Sequence, residues 1–203
     1  AQKPYPIPAK YIPAVREEIQ KLLDAGIIEP GISNWASPTL LTIKKDSKPG
    51  EPVKIKIVTD LRKLNERVIP DLGGLGTQEE ILLGFAGQPY AGLADLAGGF
   101  YQCAVNPLHK HRLSFVLPTA LGGTQFQWRV APYGMARCPA SYSRGIMFAL
   151  QGLQDTNLAP FGSSKGGTHS WIDDITVHSD TMEGFLDQLE RVFMRLAFCG
   201  LSL

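Results

Sequence analysis

The amino-acid sequence predicts an α+β fold in which an antiparallel sheet carries helices packed on one face. Three observations lead there. Apolar residues recur at helical spacing near both ends of the chain, over residues 14–25 and 182–198. Short runs of strand length lie between them, several joined by Gly- or Asp-containing turns. From residue 90 onward the main elements follow a β-α-β-β-α order, which suits a sheet covered on one side.

Residues 1–13 carry four prolines and read as an extended arm. Residues 14–25 read as a helix with Val15, Ile19, Leu22 and Leu23 on one face and Gly26 as its C-cap. Residues 39–45 and 53–59 read as two strands of a hairpin closed by the turn at 44–50. Residues 71–76 are a Gly-rich loop, and 77–85 read as a short helix with a Thr77/Glu80 capping box. Tyr90–Asp95 reads as a strand ending on a carboxylate. Residues 111–117 and 124–130 form an antiparallel pair around Gly122-Gly123, and a helix starts near Pro139. Residues 160–168, rich in Gly and Ser, read as an exposed loop. The hairpin 170–178 follows, and the last helix puts Phe185, Leu189, Val192, Phe193 and Leu196 on one face before Gly200.

At 203 residues and 44% hydrophobic, the chain can build a sizeable core. It has no run of about 18 apolar residues, so no transmembrane helix and no membrane partner are expected. It does not begin with Met, which suits a processed product or a fragment. Cys103, Cys138 and Cys199 show neither metal-ligand nor disulfide spacing, which fits an intracellular, reducing setting. The four histidines show no ligand pattern. Net charge is +1 but uneven: residues 1–67 carry +4 and residues 68–203 carry −3. A basic front suits phosphate binding, and an acidic back suits metal ions.

Asp173-Asp174, in Trp171-Ile172-Asp173-Asp174, is the feature with most chemical content. Adjacent carboxylates repel unless a cation screens them, and Asp is depleted in strands. Taken alone the pair reads as a polar turn or as a metal site. Asp95 is the candidate third carboxylate, with a helix or turn cap as its other reading. Three oxygen donors of this kind suit magnesium, with manganese as a substitute, and in-line phosphoryl displacement. Lys44, Lys45, Lys54, Lys56, Arg62 and Lys63 form a basic cluster that can bind a triphosphate or a nucleic-acid backbone, or simply a solvated face. Phe100 and Tyr101, and the segment Ala131-Pro-Tyr-Gly-Met135, place aromatics where they can stack on a ligand or pack the core.

In order along the chain, several blocks resemble reverse transcriptases of retroviruses and LTR retrotransposons, most closely the Ty3/Gypsy-like kind. They are Ile19–Pro30 with Asn34-Trp-Ala-Ser-Pro38, Thr59-Asp-Leu-Arg-Lys-Leu-Asn65, Ala94-Asp-Leu-Ala-Gly-Gly-Phe-Tyr-Gln102, Pro132-Tyr-Gly-Met135 with Cys138-Pro-Ala-Ser-Tyr142, and Trp171-Ile-Asp-Asp174. The resemblance implies a right-hand polymerase. Residues 1–89 would be mainly fingers and 90–203 mainly palm, with a fingers return over 107–138. Thumb and ribonuclease H would lie downstream in a polyprotein. It assigns Asp95, Asp173 and Asp174 as the catalytic residues that hold two Mg2+ ions, Asp95 and Asp173 as the metal ligands and Asp174 as the third, less directly coordinating carboxylate. It assigns Lys45 (or Lys44), Lys56, Phe100, Tyr133 and Gly134 to the nucleotide, Phe100 as a steric gate against a ribose 2′-hydroxyl. The implied partners are RNA or DNA template, primer and dNTP.

Departures from the family pattern accompany the match. Lys56 stands where Arg is usual, Trp171 where Tyr is usual, and Ser143 where Gln is common. A co-opted, inactive domain serving as a structural or interaction subunit, with protein partners, is the alternative they raise. An unrelated ferredoxin-like nucleotide module would share the Asp hairpin but not the earlier blocks.

Overall fold

The computed structural model describes residues 1–43, 53–69, 71, 79, 86–153 and 166–203. The chain divides into two compact units, Ala1–Pro70 with Phe100–Cys138, and Asp71–Gly99 with Pro139–Leu203.

In the first unit the proline-rich arm ends sooner than predicted. A 3-10 turn forms at Ala9–Tyr11 and helix α1 spans Ile12–Asp24. Pro13 lies in the first turn, where its missing N–H would have had no helical partner. Val15, Ile19 and Leu22 are buried, and Gly26 (φ 66°) ends the helix with the Ile27 N–H bonded to the Leu22 carbonyl. Strands β1 (Ile28–Pro30), β2 (Ser37–Ile43), β3 (Ile55–Thr59), β5 (Ser114–Val116) and β6 (Gln125–Trp128) form a sheet in the order β1-β6-β5-β2-β3. The predicted hairpin is β2 against β3, and its turn lies outside the described residues. The β2–β5 pair is parallel, which sequence spacing did not indicate. Residues 110–113 form a 3-10 turn instead of the start of β5. α1 covers a core that includes Ile57, Phe115, Phe126 and Trp128. The Trp128 indole N–H donates to Thr59 Oγ1 at 2.9 Å, so its burial leaves no orphan donor. A four-residue helix, α2 (Arg62–Asn65), follows β3.

The second unit carries strands β4 (Tyr90–Asp95), β7 (Gly166–Trp171) and β8 (Asp174–Ser179) in the antiparallel order β4-β8-β7. Residues 166–168, predicted as loop, belong to β7. A Cβ on Gly166 would stand 2.9 Å from the His178 carbonyl oxygen, so glycine here marks close strand approach, not a turn. Helix α3 (Cys138–Ala149) enters from the first unit, and helix α4 (Met182–Phe198) packs on all three strands. Thr181 caps α4, accepting from the Gly184 N–H at 3.1 Å. Arg195 donates to the Ala149 and Gln151 carbonyls, and Gln188 donates to the Leu153 carbonyl and Thr168 Oγ1. These bonds tie the end of α3 and strand β7 to α4. Val192 and Leu196 are buried as predicted, whereas Phe193 is 42% exposed. Apart from Asp71 and Glu79, the predicted loop at 71–76 and helix at 77–85 lie outside the described residues. Among those residues no helix is long and apolar enough to cross a membrane.

Candidate active site

Strand pairing aligns the carboxylates of the second unit. Asp95, last in β4, stands directly opposite Asp174, first in β8, and Asp174 stands opposite Trp171 in β7. Directly opposed residues share a face. Asp95, Asp174 and Trp171 therefore form a row across one end of the sheet, on the face away from α4. Trp171 flanks Asp174 on the side away from Asp95 and does not intervene between the two acids.

Asp173 comes from the two-residue turn between β7 and β8. Ile172 opens that turn with φ 55°. Two-residue hairpins prefer Gly at this position, and a β-branched residue there costs about 1–3 kcal/mol. The strain is held by full pairing of both flanking strands and by the Leu96 N–H, which donates to the Asp173 carbonyl at 2.9 Å. Gly99 (φ 38°) faces the Asp173 side chain, and a Cβ there would lie 3.1 Å from Asp173 Oδ2. Neither Ile172 nor Gly99 was singled out from sequence. The Gly98-Gly99 step after Asp95 was the available signal.

Burial, then the charges of Asp173 and Asp95, push the Asp174 carboxyl above the ordinary carboxylate value. Among the described residues no lysine or arginine forms an ion pair with any of the three. Among the same residues no three His, Cys, Asp or Glu side chains gather tightly enough to hold one metal ion. Asp174 feels the charges of Asp173 and Asp95, but the three do not share a coordination point. An all-oxygen, all-anionic donor set with no cationic partner fits magnesium better than a transition metal.

The first unit groups the residues assigned to the nucleotide. Lys56, in β3, holds its Nζ 3.4 Å from the centre of the Tyr133 ring. That distance is within cation–π range. Phe100, in a 3-10 turn over Gly99–Gln102, meets Tyr133 edge-on at 5.4 Å between ring centres. Tyr101 meets Tyr133 at 5.1 Å and stacks on buried Trp128 at 5.7 Å. Gly134 follows with φ 87°. Lys44 and Lys45 lie outside the described residues.

The predicted basic cluster is corrected in part. Arg62 donates to both oxygens of Asp60, at 2.9 and 2.7 Å, and Lys63 pairs with Glu66 at 3.0 Å. Each cation meets an acid within three residues of itself, so local pairing takes up charge that was read as phosphate-binding. Buried Asp60 also accepts from the Tyr5 hydroxyl, which anchors the N-terminal arm. Burial pushes the Cys138 thiol up to about 11, with the Cys103 thiol adding to it, and burial also raises Cys103. Neither thiol is activated as a nucleophile.

Residues 43–203 match the family described as reverse transcriptase (RNA-dependent DNA polymerase). The chain is 27% identical over 201 residues to the retrovirus-related Pol polyprotein from transposon 297 of Drosophila melanogaster, covering 99% of this chain and 18% of that protein. It is 26% identical over 178 residues to the enzymatic polyprotein of figwort mosaic virus, covering 86% of this chain and 24% of that one. Among solved structures, the native prototype foamy virus protease-reverse transcriptase superposes with a TM-score of 0.78 at 26% identity, over 99% of this chain and 24% of that chain. The foamy viral protease-reverse transcriptase in complex with double-stranded DNA, at 24% identity, gives a TM-score of 0.81 over 99% of this chain and 32% of that chain, a likeness of fold. The chain spans between 13% and 24% of the length of these and other curated relatives, all polyproteins.

Proposed function

This chain belongs to the reverse transcriptase (RNA-dependent DNA polymerase) family, and on that premise we propose that it is the fingers and palm portion of an RNA-directed DNA polymerase within a retroelement polyprotein. One observation carries the reading: Asp95 and Asp174 are paired across β4 and β8 beside Asp173, with no cationic partner among the described residues. Family membership supplies the chemistry such a pair would serve.

The reaction is attack of a primer 3′-hydroxyl on the α-phosphate of a deoxynucleoside triphosphate. A P–O bond to the primer forms, the bond to pyrophosphate breaks, and the hydroxyl proton leaves to solvent. Asp95 and Asp173, with Asp174 beside them, would hold two magnesium ions, which would lower the pKa of the attacking hydroxyl and neutralise the departing pyrophosphate. The chain's own part is to present negative charge at a fixed place. Strand pairing aims Asp95 and Asp174 to one side of the sheet. The strained turn projects Asp173 beside them, and Gly99 leaves room for its carboxylate. Mutual repulsion holds the three oxygens apart, and a divalent cation cancels it.

In the first unit, Lys56 and Lys45 would meet the triphosphate, and Tyr133 and Gly134 would line the nucleotide pocket. Phe100 would exclude a 2′-hydroxyl by bulk. Lys56 cannot offer the bidentate fork of the usual Arg. Its perch on the Tyr133 ring supplies orientation that a free Lys lacks. Template, primer, dNTP and downstream polyprotein domains are the proposed partners, in an intracellular or particle-bound setting.

Primer extension on an RNA template, by the chain in its polyprotein context, tests this. Asp173→Asn should lower the rate by at least about a thousandfold, on the order of 4 kcal/mol in barrier, with the fold retained. Equal inertness of wild type and variant, both folded, sinks the polymerase reading. The co-opted, non-catalytic reading would then stand.

A further inference from the structure

Asn65 ends the short helix α2, and no role in nucleotide binding has been assigned to it so far. Its side chain makes two bonds to one turn. Nδ2 donates to the Gly134 carbonyl at 2.8 Å, and Oδ1 accepts from the Ala136 N–H at 3.0 Å. The two bonds straddle Met135, so one amide closes the turn as a strand neighbour would. Gly134 has φ 87°, a left-handed conformation that glycine adopts without strain and that gives the turn its tight shape.

Tyr133 is the residue immediately before the clamped segment. Its backbone is held from one side by Asn65. Its ring is backed from the other by Tyr101, which stacks on Trp128, a residue only 1% exposed. Between these anchors the ring supports the Lys56 ammonium at 3.4 Å and meets the Phe100 edge at 5.4 Å. A shift of the turn would carry both contacts with it, because Tyr133 is common to both.

We propose that Asn65 is a positioning residue for nucleotide binding: its amide clamps the Gly134–Ala136 turn and thereby sets the Tyr133 ring against Lys56 and Phe100. The inference rests on the reading of those three residues as nucleotide contacts. It requires an amide in particular. An Asp at this position keeps the acceptor for the Ala136 N–H but turns a carboxylate oxygen toward the Gly134 carbonyl, so one bond becomes a repulsion at unchanged volume.

The test compares wild type, Asn65→Asp, Asn65→Ala and, as a control on the neighbouring exposed surface, Glu66→Gln, each in the polyprotein context. Asn65→Asp should raise KM for dNTP about tenfold, the loss of one bond and gain of one repulsion, with kcat within about twofold. Discrimination against ribonucleotides should fall with it, since the gate rests on the same ring. Asn65→Ala should fall between Asp and wild type, and Glu66→Gln should match wild type. Unchanged KM and selectivity in Asn65→Asp overturns the proposal. A fall of kcat and melting temperature with KM and selectivity unchanged marks a merely structural residue and also overturns it. Equilibrium binding of a non-hydrolysable dNTP analogue separates this from the polymerase reading. If wild type binds the analogue but turns nothing over, weaker binding by Asn65→Asp still supports the clamp. Equal binding by both, or none by wild type, defeats it.

Discussion

The two units differ in how one set of acidic side chains is compensated. In the first, buried Asp60 is met by Arg62 and Tyr5, and Glu29 by Lys110, Gln127 and Arg129. The second pairs Asp71 with Arg144 and Asp187 with Arg191. Yet Asp95, Asp173 and Asp174 stand together at one end of its sheet with no such base among the described residues. Compensated acids hold a structure together, whereas an uncompensated group costs stability until something cationic arrives. On the proposed reading, this is the cost of keeping carboxylates free for a cation.

Matched substitutions sharpen that contrast, and they should differ in sign. Asp60→Asn removes the charge that Arg62 meets and replaces one of the two accepting oxygens with an NH2 donor, and should lower stability by about 2 kcal/mol, measured by chemical denaturation. Magnesium should raise the wild-type unfolding free energy by about 1.4 kcal/mol at ten times its dissociation constant. The same addition should leave an Asp173→Asn/Asp174→Asn double variant unmoved. A magnesium response that survives in the double variant would break the comparison. Without metal, Asp174→Asn should be neutral or stabilising by about half a kcal/mol, the usual scale of a like-charge cross-strand pair.

Acidity separates the same two residues. Hydrogen bonds from Arg62 hold the Asp60 carboxyl well below its ordinary value. Its contribution is present above about pH 4 and is lost as pH falls through its folded value, so wild type and Asp60→Asn converge in acid. The Asp174 carboxyl is raised, so its contribution is favourable below about pH 4 and lost as pH rises through the raised value. Wild type and Asp174→Asn should therefore diverge on going from acid to neutral. A single denaturation series across pH reads both trends, and trends of the same sign would contradict the account.

Much of this was legible in the sequence. The periodic faces of α1 and α4, the strand 90–95 and the Asp hairpin followed from apolar spacing, because burial imposes it. Contacts governed by geometry were not legible. Gly166-Gly167 looked like a loop because composition cannot distinguish a glycine needed for flexibility from one needed for close approach. Arg62 read as free positive charge because pairing depends on the direction of a side chain. Asn65 stood inside a recognised block without a visible task, since its partners lie 69 and 71 residues away.

The two-residue turn at Ile172-Asp173 has a consequence for how the gene can change. A strand's side chains alternate with a period of two, so a length change between Trp171 and Asp174 that is taken up as a one-residue slip of β8, and not in the loop, would invert every later residue of β8. Ile175 and Val177, 0% and 1% exposed, would turn outward, and Asp174 would face α4. The hairpin thus ties the register of β8 to the length of its own turn, and single-residue gaps there should be rare.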